Sequence, residues 1–178
     1  MMKHFFYTIF FLCFFISCDN LKPEISTEII RVRVFSFTKN KNEIFNAQKK
    51  VIKTSNEYSY IYNFDKHNDT LKFIKDNIYF KGKKLKEIDT KDIVINGNYY
   101  SVSKCFFENK KDFRGDKYLF INKELGLIFV HDSYGNMYEY DIKKYKFLHK
   151  NIALNRFNFK NGDFEIKYLK MDYPKLKD

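Results

Sequence analysis

The chain of 178 residues carries 33 Lys and Arg against 22 Asp and Glu, a formal charge of +11 at pH 7. Its composition, 44% hydrophobic and 31% charged, excludes a disordered chain, and three cysteines are too few for a disulfide-stapled scaffold. The basic excess does not point to nucleic acid: only Arg31, Arg33, Arg114 and Arg156 offer the planar fork that phosphates favour, and the lysines are scattered without a block.

The first element is a leader. Lys3 and His4 precede an apolar run, Phe5 to Ile16, broken only by Thr8. Twelve helical residues reach about 18 Å, well short of the ~30 Å hydrocarbon core of a bilayer. A short apolar run behind a basic start has the form of a secretory signal rather than a spanning helix. The run ends abruptly in Phe15-Ile16-Ser17-Cys18 and turns polar at Asp19.

Phe15-Ile16-Ser17-Cys18 resembles the lipobox of bacterial lipoproteins. In that family an aliphatic residue stands at −3, a small one at −1 and an obligatory cysteine at +1; Ser17 and Cys18 match, and Phe15 departs from the usual Leu. The resemblance implies diacylation of the Cys18 sulfur, cleavage between Ser17 and Cys18, and acylation of the new amine. It covers the leader alone. Several acyl chains hold a protein on a bilayer stably where one does not.

This reading divides the chain into a signal peptide over 1–17, a lipidated cysteine with a tether over 18–28, and one domain over 29–178. Cys13 leaves with the signal and Cys18 is acylated, so Cys105 alone remains and no intramolecular disulfide forms. Ser-Lys-Cys-Phe-Phe around Cys105 suits a buried thiol rather than a reactive one.

Beyond the tether the pattern has period two. Ile30, Val32 and Val34 alternate with Arg31, Arg33 and Phe35, and Tyr58, Tyr60 and Tyr62 alternate with Ser59, Ile61 and Asn63. Residues 99–105, 117–121, 127–130, 137–142 and 163–169 are rich in aromatic and β-branched side chains, the composition of strands. Asn96-Gly97 and Asn161-Gly162 are two-residue hairpin signals, Lys81-Gly82 and Tyr134-Gly135-Asn136 mark further turns, and Gly126 suits a longer loop closing through a left-handed residue. The expected fold is mainly β: a single antiparallel meander forming a curved sheet, roll or barrel. Residues 42–53 are ambiguous. Their apolar spacing, with Asn42 as a cap, fits one short helix as well as it fits a strand.

Chemical motifs are sparse. His67, His131 and His149 stand in no metal-ligand spacing, and His131-Asp132 has the look of a surface pair. Glu87, Asp89 and Asp92, and the pair Asp112 and Asp116, fall among lysines in expected loops, where solvated charge is the ordinary role. No Gly-rich phosphate loop and no Gly-x-Ser-x-Gly elbow occurs. Arg114-Gly115-Asp116 matches the integrin-binding tripeptide, a match too short to weigh. Asp69-Thr70-Leu71 resembles the short O-glycosylation motif of exported Bacteroidota proteins and makes Thr70 a weak glycosylation candidate in an expected turn. With the Phe-rich leader, the stretches VINGNYYSVSK and YLFINKELGLIFV resemble paired strands in small lipoproteins of that group, which implies an outer-membrane location.

The expectation is therefore a lipid-anchored envelope protein with no catalytic residues, no metal and no cofactor, acting as a monomeric binding or scaffold module. Its partners would be the membrane through its anchor, with envelope proteins, glycans or an apolar ligand as further candidates, and no nucleic acid. The alternative is a carrier or chaperone that holds an apolar or lipidated ligand inside a curved sheet.

Overall fold

The computed structural model describes residues 22–36, 39–95, 97–109, 115–133 and 135–149. The leader with Ser17 and Cys18, the segment with Asp112 and Arg114, and the expected strand at 163–169 with its Asn161-Gly162 turn lie outside the described residues.

Eleven strands form one antiparallel sheet: β1 (Glu24–Ser36), β2 (Lys41–Lys53), β3 (Glu57–Phe64), β4 (His67–Ile74), β5 (Asn77–Phe80), β6 (Lys83–Lys84), β7 (Lys86–Ile95), β8 (Asn98–Phe107), β9 (Lys117–Asn122), β10 (Gly126–Asp132) and β11 (Asn136–Glu139). The order across the sheet is β6-β5-β4-β3-β2-β1-β11-β10-β9-β8-β7. Each strand pairs with its neighbour in sequence, except that β6 does not pair with β7 and that β1 also pairs with β11 over Arg33–Ser36 and Asn136–Glu139. β6 and β7 are two halves of one pass. The first half pairs with β5, Leu85 extends that ladder by donating its amide to Ile78 O at 2.8 Å, and the second half pairs with β8. The result is a nearly closed, barrel-like sheet of ten passes, an even number, which lets an up-and-down meander return antiparallel to its first strand.

Two-residue loops at 65–66, 75–76 and 81–82 join β3 to β6. Asp65, Lys75 and Lys81 each take positive φ, as does Gly82, which is the twist such hairpins require. Gly97 and Gly135 also have positive φ at the turns expected from sequence.

Alternation decides which side chains face inward. Ile30, Val32, Ala47, Tyr60, Tyr62, Leu71, Phe80, Cys105, Leu119, Ile121 and Tyr140 join one buried cluster inside the barrel. A second cluster on the outer face contains Phe35, Val102, Phe120, Phe129 and Met137 and is capped by Tyr145 and by Leu148, the latter from a helical turn at 146–149. A bulge between Leu127 and Phe129 serves both faces: Leu127 and Val130 join the inner cluster while Ile128 and Phe129 join the outer one.

The structure resolves one open alternative and corrects several local expectations. Residues 42–53 are strand, not helix: β2 pairs rung for rung with β1 along its whole length, and tertiary pairing overrides a weak local preference. Glu87, Asp89 and Asp92 lie on β7 rather than in a loop. The 67–70 stretch is the start of β4 rather than a turn. β1 begins at Glu24, so strand geometry reaches into the stretch read as tether.

The barrel interior leaves no room at Gly126, which is buried with φ +84°. A Cβ there would fall on the Tyr62 hydroxyl and 2.9 Å from Tyr60 Cδ1. Gly82, with φ +76°, has nothing within 4 Å of its Cβ position. Gly126→Ala is expected to cost about 3 kcal/mol, strain and overpacking together, and Gly82→Ala only about 1 kcal/mol. Urea unfolding of the two variants checks the difference; equal losses would contradict this packing.

Candidate functional site

Register divides the barrel into two ends. The entry end holds Lys22, the 54–56 and 75–76 loops, Gly97 at the β7–β8 tip, and the 123–125 loop. The far end holds the 65–66 and 81–82 turns, the start of β9 and the β10–β11 turn.

Charged and hydroxyl groups meet inside the far end. Asp69 on β4 is buried and points inward, because it sits two residues from the core residue Leu71. Lys81 Nζ lies 2.6 Å from Asp69 Oδ1, and the Tyr140 hydroxyl donates to Oδ2 at 3.0 Å. Lys117, two residues before inward-facing Leu119, places its Nζ 5.5 Å from the centre of the Tyr138 ring. Burial pulls the Lys117 pKa down, opposed by the nearby Asp69 and Asp132 carboxylates. Burial raises the phenols of Tyr138 and Tyr140, and Asp132 and Asp69 push them further in the same direction. His67 stacks on Phe64 at 5.0 Å and meets the Tyr138 ring edge-on.

Acid, amine and phenol in one place are the ingredients of proton transfer, yet their partners commit them to structure. Both Asp69 oxygens are engaged. Asp132 accepts the Asn136 amide at 2.8 Å and its side-chain Nδ2 at 3.1 Å, which ties the β10–β11 turn. A phenol held above its ordinary pKa is a poor base and a poor nucleophile at neutral pH.

Rings from separate strands fill the barrel interior. Tyr62 of β3 meets Tyr140 beyond β11 at 5.0 Å, and Phe80 of β5 meets Phe107 of β8 at 5.3 Å along the split β6–β7 pass, both edge-on. The Tyr60 hydroxyl donates to Lys123 O at 2.6 Å, and the Tyr62 hydroxyl accepts the Leu127 amide at 2.8 Å. Two tyrosines of β3 are thus bonded to the backbone across the barrel.

The sequence-derived candidates do not converge. Thr70 lies on β4 opposite Ile61, partly exposed, beside the buried Asp69 of its own motif. Cys105 is fully buried and its thiol is pushed up to about 12 by desolvation, which makes it a core residue rather than a nucleophile. Asp132 is buried, so His131-Asp132 is not the surface pair read from sequence. Asp116 accepts the Asn109 amide at 2.6 Å. Among the described residues no three His, Cys, Asp or Glu side chains stand close enough to hold a metal ion. No family model matches this chain, and no curated protein and no solved structure resembles it at a significant level.

The network makes two predictions. Asp69→Asn removes the charge that Lys81 and Tyr140 share. Lys81 is partly exposed and can turn to water, so the expected loss is about 1–3 kcal/mol rather than the larger figure for a fully buried pair; chemical denaturation reads it, and an unchanged midpoint would deny the network a structural role. The second concerns pH. Desolvation holds His131 and His149 down to about 4, against an ordinary value of 6.5. The unfolded chain takes up these protons first, so stability is full above pH 6.5 and falls as pH drops toward 4, by up to about 3 kcal/mol for each histidine. His149→Gln should flatten part of that slope in a series of denaturation midpoints between pH 7 and 4.

Proposed function

We propose that this protein is a lipid-anchored envelope protein whose β-barrel domain acts as a non-enzymatic binding or scaffold module. One observation carries the reading: the interior is occupied by the protein's own side chains, with the Tyr60 and Tyr62 hydroxyls bonded to the backbone of the opposite wall, Tyr62 packed on Tyr140, and Phe80 packed on Phe107 along the β6–β7 seam. A carrier needs that volume for its cargo. The groups that could do acid–base work are held in ion pairs and hydrogen bonds that tie strands together.

The anchor is read from Ser17 and Cys18 at the end of the apolar leader. The proposed location is the outer membrane, with the bilayer itself as the first partner and envelope proteins or glycans as the candidates for the domain.

Two measurements test the two halves of this proposal. Cells fed an alkyne-tagged fatty acid should label the wild-type chain, and Cys18→Ser should abolish the label; persistent labelling of the variant would overturn the assignment of the anchor. Native mass spectrometry of residues 19–178, exported behind a cleavable signal, should show a bare chain. A bound mass released on denaturation would instead establish the carrier reading and identify its ligand class.

A further inference from the structure

We propose that the entry end of the barrel lies on the bilayer surface, with the tip of the β7–β8 hairpin set into the interface. The inference rests on the lipid-anchor reading above and adds which surface of the domain meets the membrane.

Reach is the first argument. Five residues separate Cys18 from Glu24, where β1 begins. At no more than about 3.6 Å per residue the six steps from Cys18 to Glu24 span about 20 Å fully extended. An acylated Cys18 therefore holds the entry rim within that distance of the headgroups, while the far end is a barrel length away.

The second argument is what that end exposes. Val94 and Tyr99 pair on one of the last rungs of the β7–β8 hairpin, on the same face of the strands. Tyr99 is 78% exposed and Val94 54%. Tyr99 and Ile29 are the two most exposed large apolar side chains among the described residues, and both lie on the half of the barrel nearer the entry end, as does Ile25. Ile44, Ile88 and Tyr118 lie toward the other end and are less exposed than these two. The Val94–Tyr99 pair leaves apolar surface at the hairpin tip that contact with a bilayer would remove from water. At a membrane interface a tyrosine buries its ring while its hydroxyl stays wet, the property that concentrates tyrosine in interfacial belts.

The chain contains no tryptophan, so a single introduced Trp reports its own surroundings. The acylated full-length protein carrying Tyr99→Trp is reconstituted on vesicles of phosphatidylcholine and phosphatidylglycerol, with and without bromine-labelled acyl chains. The expected result is a blue-shifted emission that loses intensity with the brominated lipid, while Tyr118→Trp at the far end shows neither change. Val94→Trp, on the same rung, should repeat the result and guards against a local effect of the Tyr99 substitution on folding. If the protein floats with the vesicles but Tyr99→Trp and Val94→Trp are unquenched, the docking surface is wrong and the anchor stands. Quenching of Tyr118→Trp alone would place the opposite end on the membrane and also overturn the proposal. If the acylated wild-type chain does not float at all, the anchor reading fails and the docking proposal with it.

Discussion

The four rungs between β1 and β11 are the constraint on which the barrel depends. Every other ladder joins strands that are neighbours in the chain and can form as a local hairpin or through a short connection. The β1–β11 pairing brings together segments separated by almost the whole described domain. Its loop-closure cost is incurred before any contact compensates it. The rungs carry a corresponding concentration of interactions: Val34 and Tyr138 face the inner cluster, Phe35 and Met137 the outer one, and Arg33 meets the nearly buried Glu139 at 3.2 Å. That ion pair bridges the closing strands on the face opposite Tyr138, so inner and outer faces are both tied at the same place.

β11 is only four residues long, and its shortness dictates the course of the next segment. β1 continues nine residues back from Arg33 toward the entry end, so β1 and β10 diverge beyond Glu139. The chain fills the split with its next ten residues. Tyr140 donates its amide to Ile128 O, Ile142 donates to Arg31 O, and the His149 ring reaches Ile128 O at 3.0 Å. The bulge at Ile128 supplies a carbonyl that receives both Tyr140 and His149. Burial of His149 at this junction is what depresses its pKa, so the acid sensitivity of the fold is a consequence of how the barrel is closed.

Much of this fold is legible in the sequence because the inward residues Ile30, Val32 and Val34 of β1 and Tyr58, Tyr60 and Tyr62 of β3 are apolar or aromatic and recur with period two. The glycine-bearing turns are legible for the same local reason. The hidden parts are those where a charge occupies an inward position or a turn lacks glycine. On β2 the inward series is Phe45, Ala47, Lys49, Val51, and the lysine breaks the period that would mark a strand; its ammonium meets Glu28 at 3.0 Å and lies over the Tyr60 ring. On β4 the inward Asp69 does the same. The turns at Asp65 and Lys75 use left-handed non-glycine residues, so β3, β4 and β5 run together in the sequence without punctuation. The far-end network of Asp69, Lys81, Lys117 and Tyr140 is hidden for a further reason: its members come from four parts of the chain and share no spacing. Its one trace in the sequence is the position of Asp69 and Lys117 two residues from core leucines.

The charges of β7 have an explanation that needs no chemistry. After Leu85 the pass leaves β5 and pairs only with β8 among the described strands, so its other edge presents backbone groups to solvent. Such an edge invites pairing with another chain. Lys86, Glu87, Asp89, Lys91 and Asp92 line this strand, and a register shift between Glu87 and Asp89 bends it at Ile88. Charge and bulge are the two devices by which exposed edges resist such pairing. This cluster of carboxylates thus stands where a barrel with one incomplete seam most requires protection, and the same charges that keep the segment from reading as a strand are what allow it to remain one at an open edge.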